Sequence, residues 1–479
     1  MIIRAREYLD KDGAPPMDML KSVISEHAAG LDRLEKLKKY YLADNAIAER
    51  MRARGLPNNR VAHAFARYIT TVTTGYLIGK PVGYSSAVES ETLDAIQDNY
   101  KRASISSVDA ENARNASIYG RGVEYVYSRE EGDNNAIPHT SALNPMQAFV
   151  VYDDTHEVLP MFGVYYIAKA KADGSPDGFR IWVMSEIEII EYAAQALDAS
   201  SYTEQARTSH YFGGVPLVEY WNDENERGDF EWVISEIDAY DKLQSDRVND
   251  KEQVVDRLMV LYGCTLEVDN RGRQPWQQLR EDKALCLPDA DSKVDYLGEA
   301  MDESGNEILR SSIAEDIHKL SLVPDLSDKN FAANASGVAM RYKLFGLEQL
   351  TKIKQQWFTE GLRSRLRLFA NFYALKGFPA LDVADVKIEF TRSMPANKLE
   401  LAQTVQNADG AMSLDTKVKT IHEGEDWTQG DVDREVAQIQ AEQNNADPLL
   451  QFGNIIPGDT RMQLEEQAKA MNETAVQEE

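Results

Sequence analysis

The sequence predicts an α+β chain, predominantly helical and divided into several domains. Three observations carry that expectation. Tyr342, Phe345, Leu350, Ile353, Trp357, Leu362, Leu366, Phe369 and Tyr373 recur at spacings of three to five, with no proline before Pro379, which predicts one long helix over residues 338–376. A second helical pattern spans Phe230–Tyr262. Between residues 123 and 192, β-branched and aromatic runs instead alternate with clusters of Gly, Pro, Asp and Asn, the mark of short strands. At about 1.5 Å per residue the two helices would reach roughly 60 and 50 Å. Helices that long exceed the usual globular length, so their faces are expected to meet other subunits as well as their own chain.

Taken in order, residues 1–228 read as an N-terminal α+β region. Met17–Gly55 is charge-rich helix with Leu31, Leu34, Leu37 and Tyr41 on one stripe, stopped by Gly55-Leu56-Pro57. Asn58-Asn59 is placed to cap the next helix, whose inner face is Val61, Phe65, Tyr68, Ile69, Val72 and Tyr76 until Gly79-Lys80-Pro81 breaks it. A helix over Glu89–Ala116 precedes strands at Val123–Tyr127, Phe149–Tyr152, Phe162–Ala168, Arg180–Met184 and Ile187–Tyr192. The helix of residues 229–262 is polar almost all round from Gln244 to Gln253, which requires flanking domains, charged neighbours or both to hold it.

Residues 263–302 form a small module with strand-like pieces, a turn at Asn270-Arg271-Gly272, and Trp276 close to Arg271, Arg273 and Arg280. Helix resumes over residues 303–322, a loop fills 323–337, and the long helix follows. Within 377–395 the strand Val386–Thr391 is expected to return to the first domain's sheet. Residues 396–450 read as short helices, and 451–479 as an acidic, flexible tail too poor in apolar residues to order itself alone.

Composition narrows the function. The chain has 479 residues, 43% of them apolar, so core size is no obstacle to folding. Asp and Glu total 79 against 52 Lys and Arg, a net charge of -27, which argues against a binder living on phosphate neutralisation; any DNA contact is sparse or local. Cys264 and Cys286 lack CxxC spacing, so neither a disulfide framework nor a zinc site is expected, and a reducing intracellular setting fits. The opening residues lack the apolar run of a signal peptide, and no run of about eighteen apolar residues occurs, so a soluble, unsecreted protein is expected.

Enzyme signatures are missing where they are easiest to see: there is no GxxxxGK[ST], HExxH or GxSxG and no kinase-like set. No catalytic residue, metal ligand or cofactor is therefore assigned. Gly120-Arg121-Gly122 precedes a strand and lacks a third glycine, so it reads as a plain turn. The histidines are scattered singly. Asp153-Asp154 is a candidate carboxylate pair for metal-dependent hydrolysis of DNA, with a solvated turn the better reading. The loop is the stronger site, because Lys329 and Asn330 suit weak contact with a phosphate backbone. On sequence physics alone, an ordinary exposed connector fits it equally well.

An ordered set of motifs goes further. It runs from Asn58-Asn59-Arg60-Val61 through Phe65–Ile69 to Gly75–Val82, then Tyr119–Gly122, Gly228-Asp229-Phe230-Glu231, Ile237–Tyr240 and Ser245-Asp246-Arg247. It continues with Val323–Asp328, Ala335–Ala339 and Gly346-Leu347-Glu348. Across roughly residues 20–410 this set resembles the tailed-bacteriophage portal proteins of the SPP1 type. The resemblance implies an elongated subunit of wing, stem, clip and crown in a ring, usually of twelve, around a central channel at one capsid vertex. Double-stranded DNA would pass through the channel. The terminase large subunit, a head completion or adaptor protein, and the major capsid and scaffolding proteins would be further partners.

Transferred residue by residue, residues 229–262 and 303–322 would be stem helices and 263–302 the clip, with Arg271, Arg273, Trp276 and Arg280 facing motor or adaptor. Residues 323–337 would be the tunnel loop, with Asp328, Lys329, Asn330, Phe331 and Asn334 facing DNA. Residues 338–376 would be the long wing helix, 377–395 the returning wing strand and 396–450 the crown. The implied location is the virion's portal vertex, with the host cytoplasm during assembly; no membrane is involved. A capsid protein without a channel is the remaining alternative.

Overall fold

The computed structural model describes residues 1–54, 56–130, 136–255, 258–262, 293–297, 303–327, 337–392, 398–408, 410–422 and 429–446. About 50% is helix and 21% strand, an α+β chain with helix predominant. It divides into two compact units, Met1–Ala335 with Ala339–Arg392, and Ser336–Val338 with Ser393–Glu479.

The first unit opens with β1 (Ile2–Arg4), α1 (Met17–Ala29) and α2 (Leu31–Tyr41). Then come α3 (Phe65–Ile78), β2 (Gly83–Ser86), α4 (Glu91–Arg102) and α5 (Ile105–Tyr119). The strands β3 (Arg121–Glu130), β4 (Ala136–Leu143), β5 (Ala148–Asp153), β6 (Pro160–Ala170), β7 (Pro176–Met184), β8 (Glu188–Ala194), β9 (Thr203–Ser209) and β10 (Leu217–Trp221) follow. Six of the strands form one sheet in the order β1-β5-β6-β7-β8-β9, with β1 parallel to β5 and every other pair antiparallel. A second sheet runs β10-β3-β4. Leu20, Val23 and Ile24 of α1 bury against Phe149, Phe162 and Ile181 of the larger sheet.

After β10 the chain passes through a 3-10 turn (Glu231–Val233) into α6 (Ile234–Val255), then β11 (Leu258–Tyr262), β12 (Lys293–Leu297) and α7 (Glu303–Ser321). Next are α8 (Gly337–Lys343), α9 (Phe345–Leu375) and β13 (Val386–Glu389). The main core lies where α9 crosses the smaller sheet and α3 to α5. Phe358, Leu362, Leu366 and Phe369 pack there with Leu77, Ile96 and Tyr220. Gly361 lets the helix lie on Tyr220, whose ring would stand 2.4 Å from an added Cβ. The core is not wholly apolar. The fully buried Arg365 pairs with Asp109, with Glu124 at 3.3 Å and with the Tyr84 hydroxyl at 2.9 Å.

The second unit carries α10 (Lys398–Asn407), α11 (Leu414–Ile421) and α12 (Gln429–Ala446), with Val418 and Val432 buried. Ser413 caps α11 by accepting the Thr416 N–H at 3.2 Å.

Five expectations change. The helix expected over Phe230–Tyr262 ends by Val255, and Leu258–Tyr262 is a strand paired antiparallel with Lys293–Leu297. The helix expected over 338–376 is divided at Leu344, where ψ is 0° instead of fully helical, although the Leu344 N–H still reaches the Met340 carbonyl at 3.0 Å. The Glu89–Ala116 helix breaks at Ala103-Ser104, because Ser104 takes φ +52°. Asn58-Asn59 caps nothing: the next helix starts only at Phe65. Val386–Glu389 pairs with β2 in a separate ribbon, not with either larger sheet.

Candidate functional site

The polar middle of α6 finds partners in its own chain. The segment from Asn59 to His63 lies along it and donates at successive turns. The Asn59 N–H reaches Asn249 Oδ1 at 2.7 Å, the Val61 N–H reaches Ser245 Oγ at 2.9 Å, and the His63 N–H reaches Asp241 Oδ1 at 2.9 Å. Asn45 adds an amide hydrogen bond to Asp241 Oδ2 at 2.5 Å. Arg50 and Arg52 both hold Asp246, at 2.5 and 2.6 Å. Asp241, Ser245 and Asn249 are thereby buried, which explains how a helix without an apolar stripe is kept in place. Burial pushes the Asp241 carboxyl up, against the pull of Asn45 and His63.

On its other side α6 meets α7. Arg247 pairs with Glu303 at 3.5 Å and Glu307 at 3.2 Å, Lys251 pairs with Glu303 at 3.4 Å, and Arg310 donates to the Tyr240 hydroxyl at 3.3 Å. These two helices form a base stitched by charge. On α7, Ile308, Leu309 and Leu320 are left exposed.

At the end of α7 begins the loop that the sequence singled out, and its first residues are fastened. The Tyr68 hydroxyl donates to the Pro324 carbonyl at 2.8 Å and accepts the Leu326 N–H at 2.9 Å. His318 Nδ1–H donates to the Val323 carbonyl at 2.9 Å. Asp325 folds the next turn by accepting the Ser327 N–H at 2.9 Å and hydroxyl at 2.6 Å. Burial raises the Asp325 carboxyl, but the Ser327 hydrogen bonds win and leave it below the ordinary value.

Asp328, Lys329, Asn330, Phe331 and Asn334 lie outside the described residues, as do Arg271, Arg273, Trp276 and Arg280. Sequence reasoning missed the anchors. Tyr68 was assigned to an apolar face, although a buried tyrosine carries a hydroxyl that needs a partner. In the sequence Asp229 stands out only as part of the motif Gly228-Asp229-Phe230-Glu231.

Asp229 is the most connected of these. Its buried carboxylate pairs with Lys354 of α9 and accepts the Thr73 and Ser117 hydroxyls, each at 2.6 Å, and the Asn222 amide at 2.8 Å. Desolvation works to raise its pKa, yet Lys354 and these donors hold it below the ordinary carboxylate range. The backbone is pinned there too: the Asp229 N–H donates to the Ser117 carbonyl at 2.8 Å. A Cβ at Gly228 would stand 2.5 Å from the Ile118 carbonyl.

Other motif residues are also joints. Glu231 accepts Arg33 at 2.6 Å, and Glu348 accepts the Tyr76 hydroxyl at 2.9 Å and Arg392 at 3.2 Å. At Gly120 φ is +88°, and an added Cβ would stand 1.9 Å from the Glu226 carbonyl oxygen, so the Gly-Arg-Gly is a packed turn.

Asp153 is occupied as well. Its carboxylate accepts Thr155 Oγ1 at 2.7 Å, the Leu159 N–H at 2.9 Å and Arg6 at 3.3 Å, while Asp154 points to solvent. Burial raises the Asp153 carboxyl, but these hydrogen bonds and Arg6 bring it below the ordinary value. Among the described residues, no group of three or more His, Cys, Asp and Glu is placed to hold a metal ion, and no helix is long and apolar enough to cross a membrane.

Comparison with known proteins agrees with this arrangement of motifs. The portal protein of Bacillus phage SPP1 is 25% identical over 465 residues, covering 90% of this chain and 87% of that protein. The portal protein of Clostridium phage phiCD119 is 20% identical over 426 residues, covering 85% of this chain and 92% of that protein. Neither relative carries an enzyme's name. A family model described as phage portal protein, SPP1 Gp6-like, matches residues 20–449, so that the motifs now seen to clamp α6, α9 and the loop root fall within it, and the chain belongs to that phage portal family.

Proposed function

We propose that the chain assembles with copies of itself into a ring at one capsid vertex. Double-stranded DNA passes through its channel during packaging and ejection, and the terminase large subunit and head-to-tail adaptor proteins dock on it. The observation that carries this reading is the family match over residues 20–449, with the base helices and the loop root held as one clamped assembly. In this reading α6 and α7 belong to the stem, residues 263–302 to the clip, 323–337 to the tunnel loop, α9 to the wing and α10 to α12 to the crown. Asp328, Lys329, Asn330, Phe331 and Asn334 face DNA, and Arg271, Arg273, Trp276 and Arg280 face motor or adaptor. Capsid and scaffolding proteins meet the ring during assembly in the host cytoplasm.

Charge supports a sliding contact. Multiplied around a ring, a net charge of -27 per subunit repels a duplex carrying one negative charge per about 1.7 Å of its axis, so DNA is touched without being held. Negative-stain imaging and native mass spectrometry of the purified chain test the reading: rings with a central opening are expected. A strictly monomeric or dimeric particle under all conditions refutes it, and assembly without an opening favours a channel-free capsid role. Lys329→Ala with Asn330→Ala is expected to leave rings intact and impair DNA packaging.

A further inference from the structure

The Asp229–Lys354 pair joins two parts of the subunit that the ring, in the reading above, must hold at a defined angle. α6 leaves the 3-10 turn just after Asp229, so the carboxylate sits at the root of the base, while Lys354 sits in the third turn of α9. Thr73 of α3, Ser117 of α5 and Asn222 just past β10 complete the contact, so five segments converge on one buried carboxylate. Another place where base and long helix meet is different in kind. There Gly346 lies beside Leu322, just past the end of α7, where an added Cβ would stand 3.6 Å from the Leu322 carbonyl oxygen and 3.7 Å from its side chain, ordinary van der Waals separations. Van der Waals contact of this kind fixes a distance but little direction, whereas a buried ion pair with three further donors is directional.

Exposed apolar residues stand on both arms of this joint, Ile308, Leu309 and Leu320 on α7 and Phe345 and Ile353 on α9. A heterologous interface closes into a ring only if the rotation from one copy to the next divides the circle. About 2° per subunit separates closure by twelve copies from closure by thirteen. Along α9, whose 31 residues span about 46 Å at 1.5 Å each, 2° is about 2 Å of displacement, the scale on which a side-chain contact is made or lost.

We propose that Asp229 and Lys354 are positioning residues that set the angle between the helical base and the long helix, and through it the number of subunits at which the ring closes. This rests on the ring reading. Asp229→Asn combined with Lys354→Met removes both charges while keeping similar volumes. The expected result is a folded chain whose rings, by native mass spectrometry, spread over at least two subunit numbers where the unaltered chain gives one. Lys354→Arg keeps the charge but changes the shape of the cation, so it folds more readily and is expected to shift or broaden the number by at least one subunit. Phe358→Leu, one turn along α9, loosens the same core without touching the pair and is expected to keep a single number.

Unaltered ring size in the folded double variant, in Lys354→Arg, or in Lys354→Arg alone when the double variant does not fold, overturns the proposal. So does equal broadening in Phe358→Leu. Failure of the unaltered chain to form rings is a separate result, and it refutes the portal reading instead.

Discussion

His27 shows how far one side chain depends on burial. Its ring stacks on Phe149 with centroids 4.4 Å apart, Nε2–H donates to the Pro145 carbonyl at 3.1 Å, and Nδ1 is left to accept the Tyr166 hydroxyl at 2.9 Å. Burial, helped by the charge of Arg121, lowers its pKa from 6.5 to about 4. Between those values the unfolded chain holds the extra proton. The His27 contribution is therefore complete above pH 6.5 and is lost as pH falls toward 4, to the extent of about 3 kcal/mol. Urea midpoints measured from pH 7 to 4.5 should fall less steeply in His27→Gln than in the unaltered chain, and identical slopes would contradict this. Arg365 presents the harsher case. Arg365→Met leaves Asp109 and Glu124 buried and mutually repelling, and should lower unfolding stability by about 3 to 5 kcal/mol in urea titration.

At the scale of elements, Tyr68 ties α3 to the start of the loop. Tyr68→Phe removes both hydrogen bonds, at Pro324 and Leu326, for about 1 to 2 kcal/mol. Proteolysis between residues 323 and 337 should accelerate while the melting temperature moves little; an unchanged cleavage rate would show that Tyr68 does not restrain the loop. Helices were legible because their periodicity is written in apolar residues, and α7 was placed to within a residue. β9 was not legible, because Thr-Glu-Gln-Ala-Arg-Thr-Ser has almost no apolar residue to alternate. β4 carries Pro138, which argues against a strand unless it lies at an edge, as it does here. The polar middle of α6 was legible as an anomaly. Its solution was not, because hydrogen bonds from Asn59, Val61 and His63 span 178 to 190 residues and leave no local pattern. The divide at Leu344 was hidden for a related reason: the residues around it keep a helical spacing, and only the backbone departs.

At the scale of the whole molecule, the apolar residues left uncovered matter most. Ile308 is 71% exposed and Leu309 50%, on a helix whose other side is spent on pairing with α6. Ile308→Glu with Leu309→Glu should leave circular dichroism unchanged and cut the ring fraction in sizing chromatography at least fivefold. Wild-type yields of rings would remove α7 from the subunit interface. Lys329 and Asn330 were legible by residue type as weak phosphate contacts, whereas the other DNA-facing and the motor-facing assignments rest on resemblance; all belong to segments outside the described residues.

The edge strand β9 has a practical consequence. Every one of its seven residues is exposed, and Glu204 and Arg207 pair with each other at 3.1 Å along it. Such an edge discourages strand-to-strand sticking between particles, since a hydrated ion pair must be stripped before another backbone can add. Little packing depends on its outward side chains, so a single cysteine at Gln205 offers an attachment point for a dye or a bead through which the motion of an individual particle can be followed.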